Sequence, residues 1–201
     1  MQRFRTTDAS AIPRLCAILR AGGVVALPTE TVYGLVALWD NLAARERIYE
    51  LKARPANKRL QMLAPTLQAA FDAGLVPDHR LEKLARAFWP GALTVVAKAT
   101  GLHDSIGLRI PAHPFVQALL QALGSPLAAT SANLSGQVPG LTANEAIQGL
   151  TAQPDALVDG GNIPETGGVA STVVSLLGDS PTLLREGPVT LDQINQLLSA
   201  T

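Results

Sequence analysis

Three short polar clusters hold the side chains best suited to chemistry. Thr29, Glu30, Thr31 and Tyr33 interrupt an apolar stretch at residues 22–37, directly after Pro28. Short polar breaks between strands are usually built from Gly, Asn, Asp or Ser. These residues are poorer turn formers but good hydrogen-bonding groups. The second cluster is Lys52-Ala53-Arg54-Pro55, followed by Asn57, Lys58 and Arg59. Arg45, Arg47, Lys52, Arg54, Lys58 and Arg59 make six of the 16 basic residues within 15 positions, opposed only by Glu46 and Glu50. Such a concentration suits a triphosphate or a nucleic-acid backbone. The third cluster is Thr130-Ser131-Ala132-Asn133, after an apolar run where open α/β sheets place ligands. Ser131 and Asn133 are two apart, so they share a face if the chain stays extended.

Each cluster also has a plain alternative. Hydroxyls near residue 30 serve equally to cap a loop. Cations before Pro55 suit a helix C-terminus. Ser131 and Asn133 fit an Asx turn or helix cap. More scattered are Arg109, at the end of an apolar strand, where an anionic partner is expected, the pair Ser171 and Thr172, and Arg185.

No Walker A loop, GxGxxG run or Gly-x-Ser-x-Gly elbow is present. One cysteine and three separated histidines (His79, His103, His113) make a metal site improbable, and none is expected. What remains is hydroxyls, amides and cations. These act by positioning and charge stabilisation, as phosphoryl and nucleotidyl transfer require.

Elements to carry these groups are legible. Ile12, Leu15, Ile18 and Leu19 have helical spacing ending before Gly22, and residues 24–27 read as a strand. Asn41 caps a helix containing Ile48 and Leu51. Residues 60–64 form a short strand. Asp78 caps a helix with Leu81, Leu84, Ala85 and Phe88 on one face. Residues 93–97 and 106–110 lie too close for a crossover helix and form a hairpin. A helix at 115–123 ends at Gly124, and a strand at 127–129 runs into Thr130. Thr142 with Glu145, and Thr190 with Gln193, have capping-box spacing. Residues 169–176 and 182–184 flank a Gly-Asp-Ser-Pro turn as a second hairpin. Alternating strands and helices with two hairpins predict an α/β fold: a twisted sheet of mixed parallel and antiparallel strands flanked by helices. No break in composition divides residues 1–201, so one domain is expected.

Composition narrows the function. The 16 basic and 16 acidic residues balance, so the chain as a whole does not attract nucleic acid or anionic membrane. Apolar residues make up 47% and aromatics 4%, so Leu, Val, Ile and Ala must fill the core. Cys16 stands alone, which points to a reducing compartment. Residues 1–10 lack a signal-peptide core, and no apolar run has the length of a membrane span. A soluble, cytoplasmic protein with no membrane partner is expected.

The chain resembles the YrdC-like family, the threonylcarbamoyl-AMP synthases. The matching runs are LPTETVYGL at 27–35, KARP at 52–55, FWPGALTVV at 88–96, GLRIP at 107–111, TSANLSG at 130–136, GGVAST at 167–172 and LLREG at 183–187. They cover nearly the whole chain in the family's order. The resemblance implies the YrdC-like fold with an open concave site. It implies that L-threonine, bicarbonate and ATP give threonylcarbamoyl-AMP and pyrophosphate, with Mg2+ accompanying ATP and no tightly bound organic cofactor. Partner proteins would then use the product to modify tRNA. By position, Lys52, Arg54, Ser131 and Asn133 become catalytic. Thr29, Arg109 and Ser171 would hold threonine. Lys52, Arg54, Ser105, Ser131, Asn133 and Arg185 would hold the nucleotide.

The chain departs from the family pattern in three places. Lys58-Arg59-Leu60 replaces a frequent Asn-Pro-Leu, Ala170 a frequent Glu, and Val36 a frequent Gly. The first two adjoin expected substrate contacts. The length of 201 residues would leave no room for the C-terminal domain of longer family forms. The alternative is a YrdC-like binder of double-stranded RNA or tRNA without synthase activity. The related domain of hydrogenase-maturation enzymes belongs to much larger chains.

Overall fold

Capping and hydrophobic spacing set the helices where the sequence predicts them. In the computed structural model, which describes residues 1–101, 104–163 and 168–199, α1 (Ala11–Arg20), α2 (Leu42–Lys52), α3 (Leu67–Asp72), α4 (His79–Phe88), α5 (Pro114–Leu123), α6 (Ala143–Gln148) and α7 (Leu191–Ser199) alternate with strands. His103 and Gly167, named above, lie outside the described residues. The Asn41 side chain accepts from Ala44 N, and Asp78 accepts from Arg80 N. Thr142 and Glu145 form a reciprocal capping box, and Thr190 and Gln193 exchange the same pair of bonds. Gly124 ends α5 at φ 67°, a conformation an L side chain resists. α3 was not evident in the sequence. It has only six residues and too little repeat to register, although Thr66 caps it.

Ten strands form one sheet in the order β1-β8-β2-β3-β7-β4-β6-β5-β9-β10. Their ranges are β1 (Gln2–Arg5), β2 (Val25–Leu27), β3 (Gly34–Leu38), β4 (Gln61–Leu63), β5 (Leu93–Lys98), β6 (Ser105–Arg109), β7 (Leu127–Ser131), β8 (Ala156–Asp159), β9 (Thr172–Ser175) and β10 (Thr182–Arg185). The sheet is mixed, as expected. β5 and β6 pair antiparallel, as do β9 and β10, so both hairpins are present. β4 and β6 pair parallel, as do β5 and β9. β1 and β8 pair with each other and escaped the sequence reading. β1 buries only Phe4, and β8 is four residues long, so neither shows a strand pattern by itself.

Alternation along the strands separates core from site. On β6, Ile106 and Leu108 enter a cluster with Leu93, Val95 and Val174, packed by Leu81 and Leu84 of α4 and Ile194 of α7. Full burial of a Leu contributes about 1.5–3 kcal/mol, so these helices are firmly held. Ser105, Gly107 and Arg109 occupy the opposite face, where they line a cleft.

Candidate functional site

The cleft has a volume of about 520 Å³. Its floor is the free face of the central strands: Gln61 from β4, Ser105, Gly107 and Arg109 from β6, Thr94 and Val96 from β5, and Val173 from β9. Its walls come from Thr31 and Val32, from the end of α2 and the turn after it, and from the loop following β7. The three polar clusters of the sequence therefore meet in one place.

Its charge is one-sided. Arg45, Lys52, Arg54, Lys58, Arg59, Arg109 and Arg185 line it, and among the described residues no Asp or Glu does. In a chain of zero net charge this asymmetry concentrates positive potential in the cleft.

Lys52 is 1% exposed. Its Nζ donates to the carbonyl oxygens of Ser131 and Asn133, each at 2.5 Å, and lies 3.5 Å from Asn133 Oδ1. The ammonium thus pins the end of α2 to the chain leaving β7. Burial first, and the charge of Arg54 second, lower its pKa to about 7. The oxygens it donates to work in the other direction, because they favour the charged form. Arg54 donates from Nε to Lys58 O at 2.8 Å and from Nη2 to Arg59 O at 3.0 Å, which shapes the turn after α2. Burial lowers its pKa too. Arg59 reaches across to Ser105, with Nη1 donating to Oγ at 3.1 Å. Arg45 lies over the Trp39 ring at 4.5 Å and borders the cleft.

β7 ends at Ser131, and the chain then turns. Asn133 Nδ2 donates to the carbonyls of Leu134 and Gln137, both at 2.7 Å. Ser131 and Asn133 share the wall through this turn, not through extended geometry.

At the other end of β6, Arg109 is 3% exposed. Nε donates to Gly91 O at 3.1 Å and Nη1 to Thr31 Oγ1 at 3.0 Å. Nη2 lies 2.5 Å from Glu30 Oε1, an ion pair whose N–H is not aligned as a hydrogen bond. The anionic partner expected for this arginine is thus Glu30. Ser171 Oγ lies 2.9 Å from Thr94 Oγ1 and accepts from Arg185 Nη2 at 3.1 Å. Burial, and secondarily Arg109, lower the pKa of Arg185.

Thr29 does not line the cleft. Its Oγ1 donates to Val32 O at 2.6 Å and accepts from the amides of Thr31 and Val32, which closes the turn. Thr31 is the hydroxyl that reaches the wall. Tyr33 belongs to the core. It is fully buried, and its hydroxyl donates to Gly161 O at 2.7 Å and accepts from Gly160 N at 3.1 Å. A Cβ on Gly160 would stand 2.6 Å from Pro28 Cγ, so only glycine admits this approach. Thr31 and Gln61 were missed as lining residues because each has its significance only through strands remote in sequence.

The family model described as "Telomere recombination", Sua5_yciO_yrdC, matches residues 17–187. The chain belongs to the Sua5/YciO/YrdC family. Among relatives within the family, the chain is 38% identical to the threonylcarbamoyl-AMP synthase of Bacillus subtilis over 202 residues, covering 96% of this chain and 58% of that protein. It is 40% identical to the threonylcarbamoyl-AMP synthase of Xanthomonas euvesicatoria over 176 residues, covering 82% and 91% of the two chains. The crystal structure of Pyrococcus abyssi Sua5 complexed with L-threonine superposes with a TM-score of 0.89 at 31% identity, covering 98% of this chain and 60% of that one. This family member therefore spans little more than half the length of the Bacillus and Pyrococcus proteins. Among its described residues, no helix is long and apolar enough to cross a membrane.

Proposed function

We propose that the chain is an L-threonylcarbamoyladenylate synthase. L-threonine, bicarbonate and ATP give threonylcarbamoyl-AMP, pyrophosphate and water. The observation that carries this reading is the cleft itself, where seven cations and, among the described residues, no carboxylate surround hydroxyl and amide groups. Relatives named for this activity support it. The amino group of threonine adds to bicarbonate with loss of water, forming a carbamate. A carbamate oxygen attacks the α-phosphorus of ATP, and pyrophosphate leaves with the electron pair of the broken P–O bond. No covalent enzyme intermediate is needed.

In this reading Arg109 and Ser171 hold threonine. Thr31 joins them, and Thr29 acts through it by fixing the turn. Arg54, Ser105, Ser131, Asn133 and Arg185 receive the nucleotide. Lys52 contributes mainly by holding Ser131 and Asn133 in place, with its charge adding to the field at the phosphates. Among the described residues the cleft lining offers no carboxylate ligand, so Mg2+ would come with ATP, where it would neutralise phosphate charge beside Arg54 and Arg185. Residues 1–201 act as one domain, which the single ten-stranded sheet supports. The setting is cytoplasmic, and proteins that modify tRNA take up the product. Exposed Lys58 and Arg59 at the rim favour an RNA contact as a second reading.

Calorimetry with L-threonine and then ATP, on wild type and Ser131→Ala, tests the assignment. Threonine binding that promotes ATP binding, lost in the variant, supports it. RNA affinity without any ATP binding would replace it with the second reading.

A further inference from the structure

Of the seven cations lining the cleft, Arg109 is the one with an acidic partner among the described residues. That partner is held from both sides. Glu30 Oε1 accepts from Ala112 N at 2.9 Å and faces Arg109 Nη2 at 2.5 Å. Arg109 is itself fixed by Gly91 and Thr31, so its guanidinium cannot swing toward another anion. Glu30 Oε2 and Arg109 Nη2 are buried without an aligned hydrogen-bond partner.

We propose that Glu30 is a positioning residue that makes the Arg109 end of the cleft accept an amino acid and reject phosphate. The proposal rests on the synthase reading and adds to it a basis for keeping the two substrates apart. Ser105 and Arg109 are four positions apart, about 13 Å of strand. At the Ser105 end, Arg59 has no acidic partner among the described residues, and neither do Lys52, Arg54 and Lys58 nearby in the wall. Polyphosphate is drawn there. At the Arg109 end, Glu30 cancels the arginine's charge and sets a second anion beside any phosphate that enters. Screening is weak in such a buried corner, so the repulsion is felt. A threonine zwitterion has no net charge and is not repelled. Its carboxylate still finds guanidinium N–H groups at a fixed angle. Without Glu30, the most buried arginine of the cleft would compete for phosphate with the others.

The test is calorimetry of the full chain with inorganic tripolyphosphate and L-threonine, on wild type, Glu30→Gln, Glu30→Ser and Glu30→Asp. Gln keeps the acceptor for Ala112 N and removes the charge, Ser supplies a second neutral variant, and Asp retains the charge. In wild type and E30D, tripolyphosphate and threonine should bind together. In E30Q and E30S, saturating tripolyphosphate should weaken threonine binding by about tenfold or more, because like-charge exclusion has been lifted. Simultaneous binding in the neutral variants, or competition already present in wild type, would overturn the proposal. Failure of wild type to bind threonine would sink the synthase reading instead. Tripolyphosphate stoichiometry then decides the role of Glu30: one equivalent in wild type rising to two in E30Q supports it, and one in both refutes it.

Discussion

Lys52 Nζ and the carbonyl oxygen of Ser131 are 2.5 Å apart, and this contact joins the end of α2 to the end of β7 across 79 positions of sequence. Two clusters that look independent in the chain become one wall through it. The ammonium is buried and bonded chiefly to backbone, so its first effect is on shape.

That geometry has a pH signature. Lys52 titrates near 7 in the free protein, well below the roughly 10.4 of an exposed lysine. Between those values the unfolded chain binds the extra proton, so this group makes stability rise with pH across that window. A bound polyphosphate would favour the ammonium and raise the pKa again. Tripolyphosphate binding should therefore take up a proton just above pH 7 and weaken as pH rises further. Calorimetry in buffers of different ionisation enthalpy measures this uptake, and Lys52→Met should abolish it.

Tyr33 anchors the other wall. Tyr33→Phe removes one partner from Gly160 N and one from Gly161 O. Orphaning buried backbone groups costs about 1–3 kcal/mol, and a loss of that size is expected in denaturant unfolding. Weaker threonine binding should accompany it, because the Thr29–Thr31 turn rests on this anchor.

Gly187 sets the position of Arg185 and Ser171. A Cβ there would lie 2.3 Å from Thr172 N and 2.7 Å from Ala170 O, and backbone cannot yield as a side-chain tip does. Gly187→Ala should destabilise the fold by about 1–3 kcal/mol through overpacking. It should also weaken ATP binding, because Arg185 Nε and Nη2 both donate to Ser171 O. Thermal melting and nucleotide titration check the two effects.

Magnesium should bind only with nucleotide. Among the described residues no group of three or more His, Cys, Asp or Glu could hold a metal ion. Titration of the protein with Mg2+ alone should give no saturable heat, whereas Mg2+ together with ATP should.

Much of this arrangement could be read from the chain. Capping residues such as Asn41 and Asp78 act locally, so the helices they start are visible in the sequence. The hairpins are equally local. β1 was hidden because it buries only Phe4, and β8 because its pairing with β1 joins opposite ends of the chain. The site was legible as residue types but not as roles. Thr29 and Thr31 are both hydroxyls in one turn, and only Arg109, 78 positions beyond Thr31, distinguishes the one that faces the cleft. Glu30 stood out in the sequence as a polar group of the first cluster but could be given no role there, because its partners Arg109 and Ala112 come from β6 and the chain that follows it.

The central claim is tested most directly by mixing the purified chain with L-threonine, bicarbonate and Mg-ATP and following pyrophosphate release together with the mass of the adenylate formed. The account predicts release that requires threonine and bicarbonate, with stoichiometric threonylcarbamoyl-AMP, and that falls sharply in Arg54→Ala. Pyrophosphate release indifferent to threonine, or none at all from a folded protein that binds ATP, would contradict it.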